Sequence, residues 1–212
     1  MRQRRKEARP GELLEAALEV FADKGFAAAR MDDIARRAGV SKGTVFLYYE
    51  SKQALFRAVV EAAVGPHIEA GQALVEAGTE DPVHLVRSLL MRYWEVFSDP
   101  RLEALPRLVA AEAGNFPELA GFFYENVILR ARSLFISALE RGIREGVFRP
   151  CNAGLMCRLA VAPLMSDGVW RRLMPKDDPL YVAPAVFFET YLDLFMSSLL
   201  AVPAGGRKTD EI

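Results

Sequence analysis

The chain has 212 residues, of which 51% are apolar, 10% aromatic and 26% charged, enough to build a sizeable core. That composition excludes a disordered or collagen-like chain. The net charge of −1 excludes a uniformly basic nucleic-acid coat, but the charge is unevenly spread. Residues 1–60 hold twelve Lys and Arg against eight Asp and Glu, and the rest hold fifteen against twenty. The two parts therefore face different partners.

The N-terminus is basic and then apolar, as in a signal peptide, but Glu12, Glu15 and Glu19 interrupt the apolar part at helical spacing. The apolar run Leu159 to Met165 is too short to span a bilayer. A cytoplasmic protein without a membrane partner is expected. Cys151 and Cys157 lie outside any zinc spacing, and His67 and His84 are far from both. Free buried thiols, no metal and no cofactor are the expectation.

Apolar residues recur with a period near 3.6 along almost the whole chain. Leu14, Ala17, Leu18 and Phe21 form one stripe that ends at Lys24 and Gly25. Residues 31–38 predict a short helix with Asp32 and Asp33 in its first turn and Arg36 and Arg37 in its last. Gly39 closes it; Ser41 caps a third helix to Tyr49, and Ser51 caps a fourth that runs towards Glu76 with a kink at Gly65-Pro66. Asp81-Pro82 and Asp99-Pro100 open two more, ending near Ser98 and Gly114. Phe116-Pro117 begins a long one to Gly146, and residues 152–174 and 179–200 give the last two. The reading is all-α, about nine helices, with a frayed tail.

Residues 34–49, IARRAGVSKGTVFLYY, carry the function. Two short helices joined by a glycine-containing turn form a helix-turn-helix. Ala35 is small where the helices cross, Gly39 supplies positive φ, and Val40, Val45 and Tyr49 turn inward. The opposite face presents Lys42, Thr44, Leu47 and Tyr48, with Gly43 permitting close approach to a major groove.

Residues 11–60 resemble the DNA-binding domain of TetR/AcrR-type transcriptional regulators, through LLEAALEVFADKGF and then MDDIARRAGVSKGTVFLYYESKQALF. The resemblance implies an N-terminal three-helix DNA-binding domain (1–60) and a helical effector-binding and dimerisation domain (61–212). It implies a homodimer on a double-stranded DNA operator, released by a small-molecule effector. By position, Lys42, Gly43, Thr44, Leu47 and Tyr48 would meet bases or phosphates, and Lys52 would hold a phosphate at a helix N-terminus. Two departures stand out. Arg30 replaces the usual Ser or Thr cap and offers a phosphate contact instead, and Phe46 lacks the hydroxyl of the common Tyr. The arm residues Arg2, Arg4, Arg5, Lys6 and Arg9 either add DNA contacts or form a solvated tail.

An apolar effector pocket is expected within residues 60–175, drawn from Trp94, Phe97, Phe122, Phe123 and Met165, with Arg107 or Glu112 as polar anchor. Most of the aromatics in this region should be ordinary core, and a solvated polar face explains Arg107 and Glu112 equally well. The last two helices carry more apolar surface than one core can cover, on Leu155, Leu159, Ala162, Val169, Leu173, Val186 and Leu194, and pairing them between two chains makes a four-helix dimer interface. No nucleophile elbow, phosphate loop or metal-spaced ligand set favours an enzyme. A ligand-responsive repressor is the leading reading, with an effector-independent or activating DNA-binding protein as the alternative.

Overall fold

The computed structural model describes residues 2–78 and 81–201, with side chains from Pro10 onward. The side chains of Arg2, Arg4, Arg5, Lys6 and Arg9, and residues 202–212 of the expected frayed tail, lie outside the described part. Within it the elements are helices, and the only β pairing is an isolated antiparallel bridge between Phe148 and Leu200.

Helix α1 spans Arg2–Ala28 but breaks at Gly25, whose φ of 78° and ψ of 166° suit glycine alone. The short helices α2 (Met31–Arg37) and α3 (Lys42–Tyr48) follow, then the long α4 (Lys52–Ala77). α4 runs through Gly65 and Pro66, so the proline removes one backbone donor without ending the helix. α5 (Pro82–Ser98) and α6 (Pro100–Glu112) each begin with proline behind an aspartate cap: Asp81 accepts from the amides of Val83 and His84, and Asp99 from that of Arg101.

The expected long seventh rod is present but interrupted. It consists of α7 (Pro117–Phe123), a π-helical turn at Tyr124–Ile128, and α8 (Leu129–Arg144). α9 (Ala153–Leu173) is capped by Asn152, and α10 spans Pro184–Leu199. α10 starts at Pro184 rather than Pro179 because Ala183, next to the proline, is held extended.

Two hydrophobic cores form. The first joins α1–α4 to α6 and α7, through Leu13, Phe21, Phe26, Ile34, Val45 and Phe56 on one side and Leu105, Leu108, Val109, Leu119 and Phe123 on the other. The second joins α5, α8, α9 and α10 around Leu90, Phe135, Leu139, Phe148 and Leu164. α4 bridges them: Val64 and Ile68 belong to the first, while Leu74 and Val75 pack on the second. The packing therefore does not divide at residue 60.

Candidate DNA-binding face and effector cavity

The helix-turn-helix is built by short-range contacts that its sequence dictates. Gly39 sits at φ 66°, and the Val40 amide returns to the Ala35 carbonyl at 2.9 Å, closing the turn. Ser41 Oγ accepts from the Thr44 amide at 3.1 Å and lies 2.9 Å from Thr44 Oγ1. Val45 is wholly buried, and Val40, Tyr48 and Tyr49 pack partly buried against the same core. Ion pairs fix α2 to α1: Arg37 reaches Glu19 at 2.6 Å and Asp23 at 3.1 Å, and Lys24 reaches Asp33 at 2.9 Å. The Lys24 hydrogen bond is the chief cause that holds the Asp33 carboxyl below its usual range. Asp33 also accepts from the Arg30 amide at 3.3 Å, which supplies one half of a capping box where Arg30 cannot supply the other.

The expected DNA-facing residues divide into three groups. Arg30, Lys42, Gly43, Phe46 and Leu47 are exposed. Thr44 and Tyr48 are half-buried, Thr44 against Ser41 and Tyr48 against the core, so Tyr48 does not stand on the outer face as expected. Lys52 is turned inward. Its Nζ donates to the carbonyls of Phe26 (2.6 Å), Ala27 (3.2 Å) and Ala29 (2.9 Å), and lies 4.5 Å from the Phe26 ring centroid. The physical reason is that the end of α1 leaves carbonyls without helical partners, and a cation beside them satisfies three at once. Burial lowers the Lys52 pKa, opposed by the charge of Glu112.

A cavity of about 380 Å³ opens among α4, α5, α6, the π-turn, α8 and α9. Its wall is largely apolar, with Ile68, Leu89, Phe97, Phe123, Val161 and Met165 among its lining. Three arginines also line it: Arg92, which pairs with Glu95 at 2.8 Å, and Arg132 and Arg158, which have no carboxylate within 4.0 Å among the described residues. His67 Nδ1 is 3.3 Å from Glu95 Oε2 at the same site. Cys157 and Tyr93 face one another on the wall, and burial pushes the pKa of each up.

Of the residues expected at the pocket, Phe97, Phe123 and Met165 line it; four lie elsewhere. Trp94 stacks on Phe188 at 4.8 Å, between α5 and α10. Phe122 lies under the Arg57 guanidinium, 5.1 Å from ring centroid to cation. Glu112 accepts from the Ala27 amide at 2.9 Å and from Asn115, and Arg107 is exposed. The register of α6 explains the last two. Its face of Ala104, Leu105, Leu108 and Val109 is buried, and only Pro106 reaches the cavity. The cavity arginines were missed, although Arg158 interrupts an apolar stretch of α9 in a way that marks it.

On the other side of α9, Leu155, Leu159, Val169, Leu173, Val186 and Leu194 are exposed, and an open groove between α9 and α10 is lined by Leu159, Val182, Val186 and Leu194. Ala162 is exposed too and lies at the cavity wall. Tyr191 ties the two helices by donating its hydroxyl to the Ala160 carbonyl at 2.6 Å. Among the described residues no helix is long and apolar enough to cross a membrane.

Comparison with known proteins places this arrangement. The family model of bacterial regulatory proteins of the tetR family matches residues 13–59, and that of the AefR-like transcriptional repressor C-terminal domain matches residues 84–186. The transcriptional repressor KstR2 of Mycobacterium tuberculosis is 27% identical over 144 residues, covering 68% of this chain and 70% of the relative. Its structure, described as that of a ketosteroid transcriptional regulator, is similar with a TM-score of 0.72 at 23% identity, over 92% of this chain and 96% of that one. The transcriptional activator FasR of Mycolicibacterium smegmatis is 49% identical over 59 residues, 28% of this chain and 27% of its own. FadR of Bacillus subtilis, solved in complex with stearoyl-CoA, shares the fold with a TM-score of 0.67 at 18% identity, over 88% of this chain and 97% of that one. With both its head and its C-terminal region matched by models of one kind, the chain belongs to the TetR family of DNA-binding transcriptional regulators.

Proposed function

We propose that the chain is a cytoplasmic homodimeric repressor that leaves a palindromic operator when an amphipathic effector with an acidic head fills its cavity. Residues 1–60 bind DNA, and residues 61–212 bind the effector and dimerise. The observation that carries this reading is the apolar cavity with Arg92, Arg132 and Arg158 in its wall. An apolar body gains by leaving water there, and a carboxylate or phosphate group gains at the guanidinium groups. Fold neighbours described by a ketosteroid and by stearoyl-CoA are consistent with such a ligand.

The exposed apolar residues of α9 and α10 support pairing with a second copy into a four-helix interface. That interface would set the two copies of α3 about 34–36 Å apart, one turn of duplex. Coupling needs only a modest bias. Lowering DNA affinity a hundredfold requires the effector to favour the non-binding state by about 2.7 kcal/mol. Activation is the second reading, favoured by the likeness of the head to that of FasR.

The test has two stages. Selection from random duplexes should enrich a near-palindromic motif, and stearoyl-CoA, stearate and free CoA are then compared for release of that duplex. Release by stearoyl-CoA that weakens in Arg132→Ala and Arg158→Ala is expected. No release by any of the three, with the motif still bound, rejects this effector class.

A further inference from the structure

The outer face of α3 has a definite centre. At about 100° per residue, Gly43 and Leu47 straddle the point opposite the buried Val45, each about 160° around the helix from it and about 40° from one another. Leu47 is 76% exposed, the highest value of any large apolar side chain among the described residues, and Phe46 beside it is 44% exposed. Two polar side chains of the same helix already have partners: Lys42 Nζ is 3.1 Å from Asp32, and Thr44 Oγ1 is 2.9 Å from Ser41 Oγ. A Cβ at Gly43 would meet nothing closer than Ser41 Oγ at 3.8 Å, so that side of the helix is open to close approach.

We infer that Leu47, flanked by Phe46, reads the 5-methyl group of a thymine in the major groove of each half-site. This rests on the DNA-binding reading of α3. Charge complementarity selects a duplex as the occupant of this apolar face, because Lys42 Nζ, on the same helix, stands 6.0 Å from the Phe46 ring centroid and the adjoining helix α2 carries the exposed Arg36, with the exposed Arg30 at its cap. Among groove features, only the thymine methyl suits a side chain with no hydrogen-bonding group. Against guanine O6 and N7, or the adenine amino group, the leucine would displace water and return no hydrogen bond.

The experiment uses the full chain and the operator recovered by selection. Each thymine is replaced in turn by deoxyuridine, which deletes the methyl and keeps every hydrogen-bonding group of the base. One position per half-site should lose about fourfold in affinity, the effect expected of one buried methyl-sized group. In Leu47→Ala the same replacement should have no effect, while the salt dependence of binding stays unchanged. If no deoxyuridine position weakens binding, or if the loss persists in Leu47→Ala, the inference is overturned while DNA binding stands. A loss that disappears in Phe46→Ala but persists in Leu47→Ala overturns the assignment to Leu47. Selection that enriches no motif overturns the DNA-binding reading of α3 itself.

Discussion

The head and the cavity region handle charge in opposite ways. In the head, the ion pairs lie at the surface and knit adjacent helices: Arg37 to Glu19 and Asp23, Lys24 to Asp33, Lys42 to Asp32. Lys52 goes inward instead, to backbone carbonyls. In α6 and α9, by contrast, two carboxylates are themselves buried. Glu103 of α6 is buried and paired with Arg172 of α9, and Asp167 is buried and paired with Arg171 at 2.7 Å. Gly168 lets Glu103 approach closely, since a Cβ there would stand 2.8 Å from the Glu103 carboxyl carbon. Surface pairs add little and tolerate change, whereas a buried pair costs several kcal/mol to break one-sidedly. The head is thus fixed mainly by its apolar core, while α6 and α9 are also joined by the Glu103–Arg172 pair, whose carboxylate is buried and costly to leave without its partner.

The largest expected effect probes the apolar half of that contrast. Phe26 packs on Phe21, Phe56 and Phe116 with centroid distances of 4.9–5.6 Å. Phe26→Ala should cost about 3–5 kcal/mol in chemical denaturation. Because Phe116 and α6 belong to the same core, the loss should appear in one cooperative transition. A head that melts alone, ahead of α5 and α8–α10, would show that the two cores are separable.

Lys52→Met tests the inward charge of Lys52. Leaving carbonyls of Phe26, Ala27 and Ala29 without their donor should cost about 1–3 kcal/mol, read from thermal or urea unfolding. If Lys52 stays inward on the operator, the slope of log affinity against log salt should not change. A slope reduced by about one would show that the side chain swings out to a phosphate on binding.

The contrast also explains what the sequence made legible. Capping and turn residues act over a few positions, so Ser41, Ser51, Gly39, Asp81 and Asp99 marked helix ends that the structure contains. The inward and outward faces of α3 followed from the helical period, apart from Tyr48. The cavity depends instead on which of six helices face one another. Trp94 and Phe122 look like pocket aromatics in sequence, yet α5 and the α7 end turn them towards α10 and Arg57. The inward pose of Lys52 was not legible for a related reason. Its partners are carbonyls twenty-three or more residues away, left open by the break at Gly25, and no side-chain pattern announces them.

A smaller and pH-gated effect separates the two regions again. Tyr93, Cys157 and Tyr191 lie together near the cavity, and burial is the main cause that raises the pKa of all three. Raised acids favour the neutral form in the folded state. Their contribution is therefore complete below the unfolded values of 9.0 for the thiol and 10.0 for the phenols, and it is lost as pH rises beyond them. Stability measured by urea unfolding should fall above about pH 9, by at most about 1.4 kcal/mol per pH unit for each group. Tyr93→Phe should flatten that decline. An equal decline in Tyr93→Phe would assign the alkaline loss to other groups, Tyr49 of the head among them, whose pKa burial also raises.

The smallest effect concerns the outermost pair of the head. Asp32 and Lys42 are both about half exposed, so their 3.1 Å contact is worth at most about 1 kcal/mol to folding. Asp32→Asn should leave unfolding almost unchanged. Its effect on DNA should be larger than its effect on stability, because it removes an anion beside the exposed cations that face the duplex and frees the Lys42 ammonium from its carboxylate. Binding should tighten a few-fold at low salt for operator and random duplex alike, and the gain should shrink as salt is raised, since exposed charges are screened. A gain confined to the operator would mean that the freed Lys42 reaches a base, which would make the reading of each half-site less apolar than Leu47 implies. A loss of affinity would mean that Asp32 holds Lys42 in the position from which it meets the duplex, and that the pair acts as one unit.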